Sequence, residues 1–336
     1  MKKKILVTGA SGFIGSFVVE EGIRRGYEVW AAVRSTSSRE YLRDEHIHFA
    51  EINLGNKEVL CKQLQAYGRF DYIVHAAGAT KCLKREDFFR TNTEGTRNLV
   101  QSLLQTGLVP DRFIFISSLS VFGAVREKRP YTPILLTDKA CPNTAYGESK
   151  WAAEEYLRTL STEKFPYVIL RPTGVYGPRE KDYFVMVQSI KGHMDFAAGW
   201  KPQDITFVYV ADLVQAIYKA VDAENVLGKA YFLSDGEVYN SRTFSDLVQK
   251  ELGDPWVLHV KAPLWLMHLI CGVSDWWMHR TGKLSVLNKD KYNILTQRNW
   301  QCDISSSCRD LNYHPEWPLK RGVKATVQWY KDAGWL

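Results

Sequence analysis

No stretch of the 336-residue chain reaches the ~20 consecutive apolar residues that a membrane helix needs. Met1-Lys2-Lys3-Lys4 has the charge of a signal-peptide opening, but only Ile5-Leu6-Val7 follows before Thr8-Gly9, too short for a secretory core. The expected address is therefore the cytoplasm. None of the six cysteines, at 61, 82, 141, 271, 302 and 308, forms a C-x-x-C pair, and no histidine cluster lies near them. A disulfide scaffold and a zinc site are poor readings, no metal is expected, and reduced, mostly buried thiols are expected instead. Repeats, low-complexity tracts and long linkers are absent, and the net charge of +7 is spread along the chain with no basic block. Such a balance suits an anionic small molecule and excludes nucleic acid as the expected partner.

What is present is a globular composition, 45% hydrophobic and 24% charged, long enough for one large core with a smaller lobe. Strand-like and helix-like segments alternate through the first half. Strands are predicted at Lys4–Thr8, Tyr27–Val33, Ile47–Ala50, Tyr72–His75, Arg112–Ser117 and Tyr167–Leu170. Helices are predicted at Gly12–Arg25, Lys57–Tyr67, Phe88–Thr106 and Tyr146–Leu160. Alternation of this kind, with continuously apolar strands, predicts an α/β fold: a Rossmann-type, doubly wound parallel sheet covered on both faces. The expected division is a dinucleotide-binding domain over 1–178, with returns at about 204–235, and a smaller C-terminal α/β substrate lobe over 179–336. Phe207–Val210 and Ala230–Leu233 read as the returning strands. For the apolar stretch Pro263–Trp277, core packing of the small lobe is the simplest reading. A pocket wall or a membrane-surface contact built from Trp265, Leu266, Leu269, Trp276 and Trp277 is the alternative.

Thr8-Gly9-Ala10-Ser11-Gly12-Phe13-Ile14-Gly15 sits between the first strand and the first helix, with glycines spaced G-x-x-G-x-x-G. Such a loop turns sharply, lets backbone N–H groups approach a pyrophosphate and aims a helix N-terminus at it. The second strand ends in Ala32-Val33-Arg34-Ser35, with Arg39 nearby, where an NAD enzyme would carry an acid. A guanidinium there matches a 2′-phosphate, so NADP is favoured over NAD.

Of the 17 tyrosines, Tyr146 alone is followed four residues later by lysine, Lys150. On a helix both side chains share a face, and an ammonium beside a phenol favours the phenolate. The pair is expected to move the proton that accompanies hydride transfer. Ser117, Ser118 and Ser120 each offer a hydroxyl at the end of the fifth strand.

These motifs resemble the extended branch of the short-chain dehydrogenase/reductase superfamily over nearly the whole chain. Ser117-Ser118-Leu119-Ser120-Val121-Phe122-Gly123 is similar to its S-S-x-x-V-Y-G stretch, which selects Ser118 as the third catalytic group. Asp71–Ala77, Asn92–Asn98 and Arg171–Pro178 are similar to its fourth-strand, N-x-x-G-T-x-N and R-P-x-x-V-Y-G-P segments. Phe207–Asp212 is similar to H-V-x-D, without the histidine. The resemblance implies cofactor contacts at Gly9, Ser11, Gly12, Phe13, Ile14, Gly15, Arg34, Asn53, Leu54, Ala76, Ala77, Asn92, Tyr146, Lys150, Pro172, Gly174 and Val175. Asn92 would be a structural or proton-relay asparagine. A homodimer through the helices at 88–106 and 146–160 is a further implication.

Two departures narrow the activity. Leu119 and Ser120 stand where the branch's dehydratases carry Asp-Glu, and Gly174 stands where nucleotide-sugar epimerases usually carry Asn. Arg34, the Arg-Pro-Thr-Gly segment and the Trp329–Leu336 ending are closer to dihydroflavonol-reductase-like and 3β-hydroxysteroid-dehydrogenase-like proteins, which favours an apolar carbonyl or alcohol as substrate. The alternatives are a nucleotide-sugar epimerase with the same Ser-Tyr-Lys set and a non-catalytic dinucleotide-sensing protein. Arg179, Lys181 and Tyr183 are expected lining residues.

Overall fold

The computed structural model describes residues 2–281 and 289–336. Strands β1 (Lys4–Thr8), β2 (Glu28–Val33), β3 (His48–Glu51), β4 (Tyr72–His75), β5 (Arg112–Ile116) and β6 (Tyr167–Pro172) come first. Four short strands follow, β7 (Gly174–Tyr176), β8 (Met194–Ala198), β9 (Asp204–Ile205) and β10 (Phe207–Tyr209). Then come β11 (Ala230–Leu233), β12 (Tyr239–Asn240) and β13 (Leu258–Ala262). The main sheet has seven strands in the order β11-β6-β5-β4-β1-β2-β3, and each pairing within it is parallel.

Why these segments pair as they do is visible in β1. Ile5 and Val7 point into one core, Leu6 into the other, and all three are fully buried. The same alternation divides Ile114 and Ile116 from Phe113 and Phe115 in β5. Burying a side chain of this size stabilises by about 1.5–3 kcal/mol. A parallel sheet needs a cover on each face, and helices supply both.

These helices are α1 (Phe13–Arg24), α2 (Lys57–Tyr67), α3 (Arg85–Phe88), α4 (Gly95–Thr106) and α5 (Ala145–Arg158). The second half adds α6 (Asp182–Lys191), α7 (Val210–Asp222), α8 (Thr243–Glu251), α9 (Leu264–Thr281), α10 (Lys289–Thr296), α11 (Ser305–Leu311) and α12 (Leu319–Asp332). Residues of α1, α7 and α12 pack into the first core, and residues of α2, α4 and α5 into the second.

Three expectations change. The helix expected over Phe88–Thr106 is interrupted by a π-helical segment at Phe89–Glu94 that carries Asn92. Phe207–Tyr209 pairs with Gly174–Tyr176 outside the main sheet, so only Ala230–Leu233 returns to it. The thiols are all free, but only Cys271 and Cys302 are buried and Cys141 is exposed. The small pairings β8–β13 and β9–β12 lie in the second half of the chain. Among the described residues, no helix is long and apolar enough to cross a membrane.

Candidate active site

The strand order reverses between β1 and β4, and a parallel sheet opens a crevice at its carboxyl edge where the order reverses. Both lips of that crevice are built from expected residues. Gly9 follows β1 with φ at 68°, a left-handed backbone that favours glycine. A Cβ on Gly9 would lie 2.7 Å from the Ala77 nitrogen and 2.8 Å from the Ala76 carbonyl carbon, both just past β4. A Cβ on Gly15 would lie 2.1 Å from the Gly9 oxygen. Gly12 caps α1 without a side-chain hydrogen bond, and no acidic residue stands in the first turn. The loop is thus a cradle that any side chain at Gly9 or Gly15 would fill, with helix N–H groups at its floor. These residues fit a dinucleotide pyrophosphate.

Gly15→Ala is accordingly expected to shift the loop backbone, to cost about 1–3 kcal/mol of stability and to weaken dinucleotide binding at least ~10-fold. Thermal melting and a dinucleotide titration of the variant read the two effects. Unchanged binding would contradict the cradle.

A buried polar chain holds the crevice floor. The Ala77 N–H donates to Thr8 Oγ1 at 3.2 Å, and Thr8 Oγ1 lies 2.7 Å from His75 Nδ1. His75 Nε2 lies 3.0 Å from Thr96 Oγ1, which donates to the Asn92 carbonyl at 2.6 Å. Burial pushes the His75 pKa down to about 3, so the ring is neutral. Each hydroxyl then has one consistent role, with His75 accepting at Nδ1 and donating at Nε2. The family resemblance singled out Ala76 and Ala77 but gave no sign of this chain.

Asn92 is 1% exposed and fully committed. Its Nδ2 donates to the Ala79 carbonyl at 3.0 Å and to Ser149 Oγ at 2.9 Å, and its Oδ1 accepts from the Ala79 N–H at 2.7 Å. The π-helical turn thereby ties the loop after β4 to α5.

Helix α5 carries the expected pair. Its N-cap, Thr144, accepts from the Gly147 N–H at 3.0 Å. Asp290 of α10 accepts from the N–H groups of Ala145, at 3.0 Å, and Tyr146. A Cβ on Gly147 would lie 2.5 Å from the Ser120 oxygen, so α5 presses directly on the segment after β5. That contact brings Ser118 to the Tyr146 hydroxyl, with which it hydrogen-bonds. Of its neighbours, Ser117 is engaged elsewhere, donating to Glu154 at 2.5 Å, while Ser120 pairs with Ser118 itself at 3.1 Å.

Lys150 is buried, donates to the Ile116 carbonyl at 2.9 Å and lies 5.0 Å from the Phe115 ring centre. Burial pulls its pKa down to about 8, against an upward pull from Glu154. The expected lowering of the Tyr146 pKa is not what the structure shows. Burial pushes that phenol up to about 12, and the Ser118 hydrogen bond is the opposing influence. Lys150 is not among the influences on that phenol, and its ammonium donates to the Ile116 carbonyl.

Arg34 lies at the end of β2, with its N–H bonded to Ser37 Oγ at 2.9 Å. Arg34 and Arg39 line a cavity of about 230 Å³ together with Ser35, Phe49, Glu51 and Tyr67. Arg39 stacks over the Phe49 ring at 4.1 Å. Neither guanidinium has a carboxylate partner among the described residues. Asn53 and Leu54 follow β3 in a local turn, where the Asn53 N–H donates to Gln63 and the Leu54 carbonyl accepts from Asn98.

On the opposite lip, Pro172 ends β6, and Gly174 and Val175 open β7. A Cβ on Gly174 would lie 2.4 Å from the Tyr183 hydroxyl, and Tyr183 stacks on Phe244 at 4.8 Å. Tyr183 is thus a wall residue beside Gly174. Arg179 is not. It bonds Ser16 and Glu20 of α1 and stacks on Phe17 and Tyr41. Lys181 is exposed at the start of α6.

A model of the NAD dependent epimerase/dehydratase family matches residues 5–240. The chain is 28% identical to a UDP-glucose 4-epimerase of Vibrio cholerae, over 99% of this chain and 97% of that one. It is 26% identical to a 3-beta-hydroxysteroid dehydrogenase of Mycolicibacterium neoaurum, over 98% and 92%. The crystal structure of a UDP-glucose 4-epimerase with UDP-glucose from Thermotoga maritima superposes with a TM-score of 0.78 at 23% identity, covering 98% of this chain and 99% of that one. The chain belongs to the NAD-dependent epimerase/dehydratase family, an enzyme family of the extended short-chain dehydrogenase/reductase branch.

Proposed function

We propose that the chain is an NADP-dependent oxidoreductase acting on an apolar or mid-sized carbonyl or alcohol. The observation that carries the reaction type is the cluster of Ser118, Tyr146 and Lys150 at the carboxyl edge of the sheet, beside the glycine cradle. When bound, the nicotinamide supplies or accepts the hydride. Tyr146 donates a proton to the reacting oxygen, or takes it, with Ser118 as the second hydroxyl directed at that oxygen. Lys150 holds a positive charge beside them and would hold the ribose hydroxyls of a bound dinucleotide. Asn92 and Asp290 position α5 and hold no proton in transit.

The choice of NADP rests on Arg34 and Arg39 around one cavity at the end of β2. Two guanidiniums without carboxylate partners suit the doubly charged 2′-phosphate. Calorimetric titration with NADPH and NADH tests it. NADPH is expected to bind more tightly, and Arg34→Asp to weaken NADPH by roughly 10–100-fold, which is the loss of one charge-assisted contact plus repulsion. Equal affinities, unmoved by the substitution, would refute the 2′-phosphate reading.

Epimerase activity on a nucleotide sugar is the second reading, supported by the similarity to the Vibrio cholerae enzyme. Against it, the space in which an asparagine would project from position 174 is taken by the Tyr183 hydroxyl. Tyr183 is backed there by the core rings of Phe207 and Phe244, so the surface beside Gly174 is an aromatic side chain where an epimerase would hold a polar one. An oxidoreductase releases its cofactor at each turnover, oxidised after reducing a carbonyl or reduced after oxidising an alcohol, whereas an epimerase retains it.

A further inference from the structure

The apolar stretch from Pro263 to Trp277 is not core. Helix α9 turns Trp265, Leu269, Val273, Trp276 and Trp277 outward, each 57–70% exposed. These positions repeat at i, i+4, i+8, i+11 and i+12, which is one stripe of a helix. The opposite side of α9 mixes apolar and polar residues, with Cys271 buried and Leu264, Met267, Ser274 and Asp275 half-buried. The helix therefore carries apolar residues outward as well as inward, unlike an ordinary amphipathic surface helix.

The stripe continues onto a second element. Strand β13 leads into α9, and its pairing with β8 sets Phe196 beside Val260 and Met194 beside Leu258. On that side of the ribbon Phe196 is 61% and Leu258 49% exposed, while Asp195 on the other side is buried against Ser245. Trp200 and Trp256 flank the ribbon at 64% and 72% exposure. Five of the protein's eleven tryptophans are thus exposed on this ribbon and helix.

Charge chooses the occupant. Within 194–201 and 256–281, the exposed charged side chains are Lys201, Lys261 and Arg280, and the two carboxylates, Asp195 and Asp275, turn inward. A second copy seated on this face about a twofold axis would bring the same cationic rim against itself. A layer of anionic headgroups over hydrocarbon matches both features. Tryptophan sits at such an interface, with its ring in the apolar zone and its N–H wet, and lysine and arginine pair with lipid phosphates.

We infer that the outward face of α9 and the β8–β13 ribbon rests on an anionic lipid surface. Helix α10 connects this face to the active-site cluster. His268 of α9 meets Tyr292 of α10 at 5.1 Å, and Asp290 of α10 caps α5 next to Tyr146. An apolar substrate would then enter from the bilayer side, a corollary that rests on the substrate reading above. The surface contact itself does not.

The test is flotation of the full chain with vesicles of phosphatidylcholine alone and of phosphatidylcholine mixed with phosphatidylglycerol. The protein is expected to float with the mixed vesicles and much less with the neutral ones. Lys261→Glu with Arg280→Glu should weaken that binding by about fivefold or more for each charge removed. Trp265→Ser with Trp276→Ser should weaken it at least ~10-fold through lost apolar burial. All four side chains are exposed, so the melting temperature is expected to hold, which separates lost docking from lost folding. Failure of the wild type to float with either vesicle overturns the inference. So does a wild-type dimer in light scattering that the tryptophan variant splits, since the face would then belong to a second copy.

Discussion

Tyr146→Phe is expected to lower kcat by about 10²–10⁴-fold, the usual contribution of a positioned proton donor, while leaving dinucleotide affinity within roughly twofold. The ring is retained, so its edge contact with Phe88 at 6.5 Å and the packing of α5 remain. Only the hydroxyl that meets Ser118 is lost. The measurement is the steady-state rate at the nicotinamide absorbance, with whichever carbonyl in a ketone and aldehyde panel gives turnover. Retention of more than roughly a tenth of the rate would remove Tyr146 from the proposed mechanism.

The same hydroxyl dictates opposite pH dependences for the two directions. Reduction of a carbonyl requires the neutral phenol as acid. With its pKa pushed up to about 12, that form is present throughout the neutral range. Oxidation of an alcohol requires the phenolate, whose fraction grows ~10-fold per pH unit below the pKa. Reduction is therefore expected to be flat between roughly pH 6 and 8 while oxidation climbs steeply over the same span. An oxidation rate independent of pH there, with hydride transfer limiting, would mean that another group takes the proton.

What the sequence made legible was whatever depends on local pattern. The continuously apolar run Ile5-Leu6-Val7 and the glycines at 9, 12 and 15 needed no tertiary information. Tyr146 and Lys150 were found because their spacing is one helical turn. The choice of Ser118 over its neighbours rests on resemblance; the geometry sets it beside Tyr146, where Gly147 lets α5 touch the segment after β5, and commits Ser117 to Glu154.

What was missed depends on groups far apart in the chain. The π-helical turn at Asn92 has no spacing signature, since it is held by Ala79 and Ser149. Asp290 reaches α5 across more than a hundred residues, invisible to any motif. The tryptophan-rich α9 was read as core because apolar composition normally implies burial. Nothing local distinguishes a helix that packs inward from one whose apolar stripe faces out. Glu154 was within reach, since it follows Lys150 at the same helical spacing as Lys150 follows Tyr146, but its partner Arg171 lies on β6.

That buried pair gives the largest expected effect on stability. Glu154 has no exposed side-chain surface and Arg171 only 3%. Arg171 donates to Glu154 from Nε at 2.9 Å and from Nη2 at 2.5 Å, while Ser117 donates at 2.5 Å. Removing one partner leaves a guanidinium in the core without its counter-charge, which costs about 3–5 kcal/mol. Glu154→Gln is therefore expected to lower the melting temperature by roughly 4–7 °C. Replacing both partners with apolar residues of similar volume, Glu154→Leu with Arg171→Met, should recover much of the loss, because the damage comes from the orphaned charge. A double variant no more stable than the single one would place the cost in packing.

The deficit should also depend on pH through Lys150. Burial pulls its pKa below the ordinary 10.5 to about 8, and Glu154 opposes that pull. A lysine with a lowered folded pKa penalises folding below that pKa, and the penalty is relieved as pH rises from the folded value toward the unfolded one. Without Glu154 the folded pKa falls further, so the extra penalty is fully present at low pH and vanishes above about 8. The stability gap between wild type and Glu154→Gln, read by melting at each pH, should narrow from pH 6 to pH 9, by about 1.4 kcal/mol for each unit by which the folded pKa has dropped. A gap that stays constant over that range would show that Glu154 stabilises Arg171 without acting on Lys150.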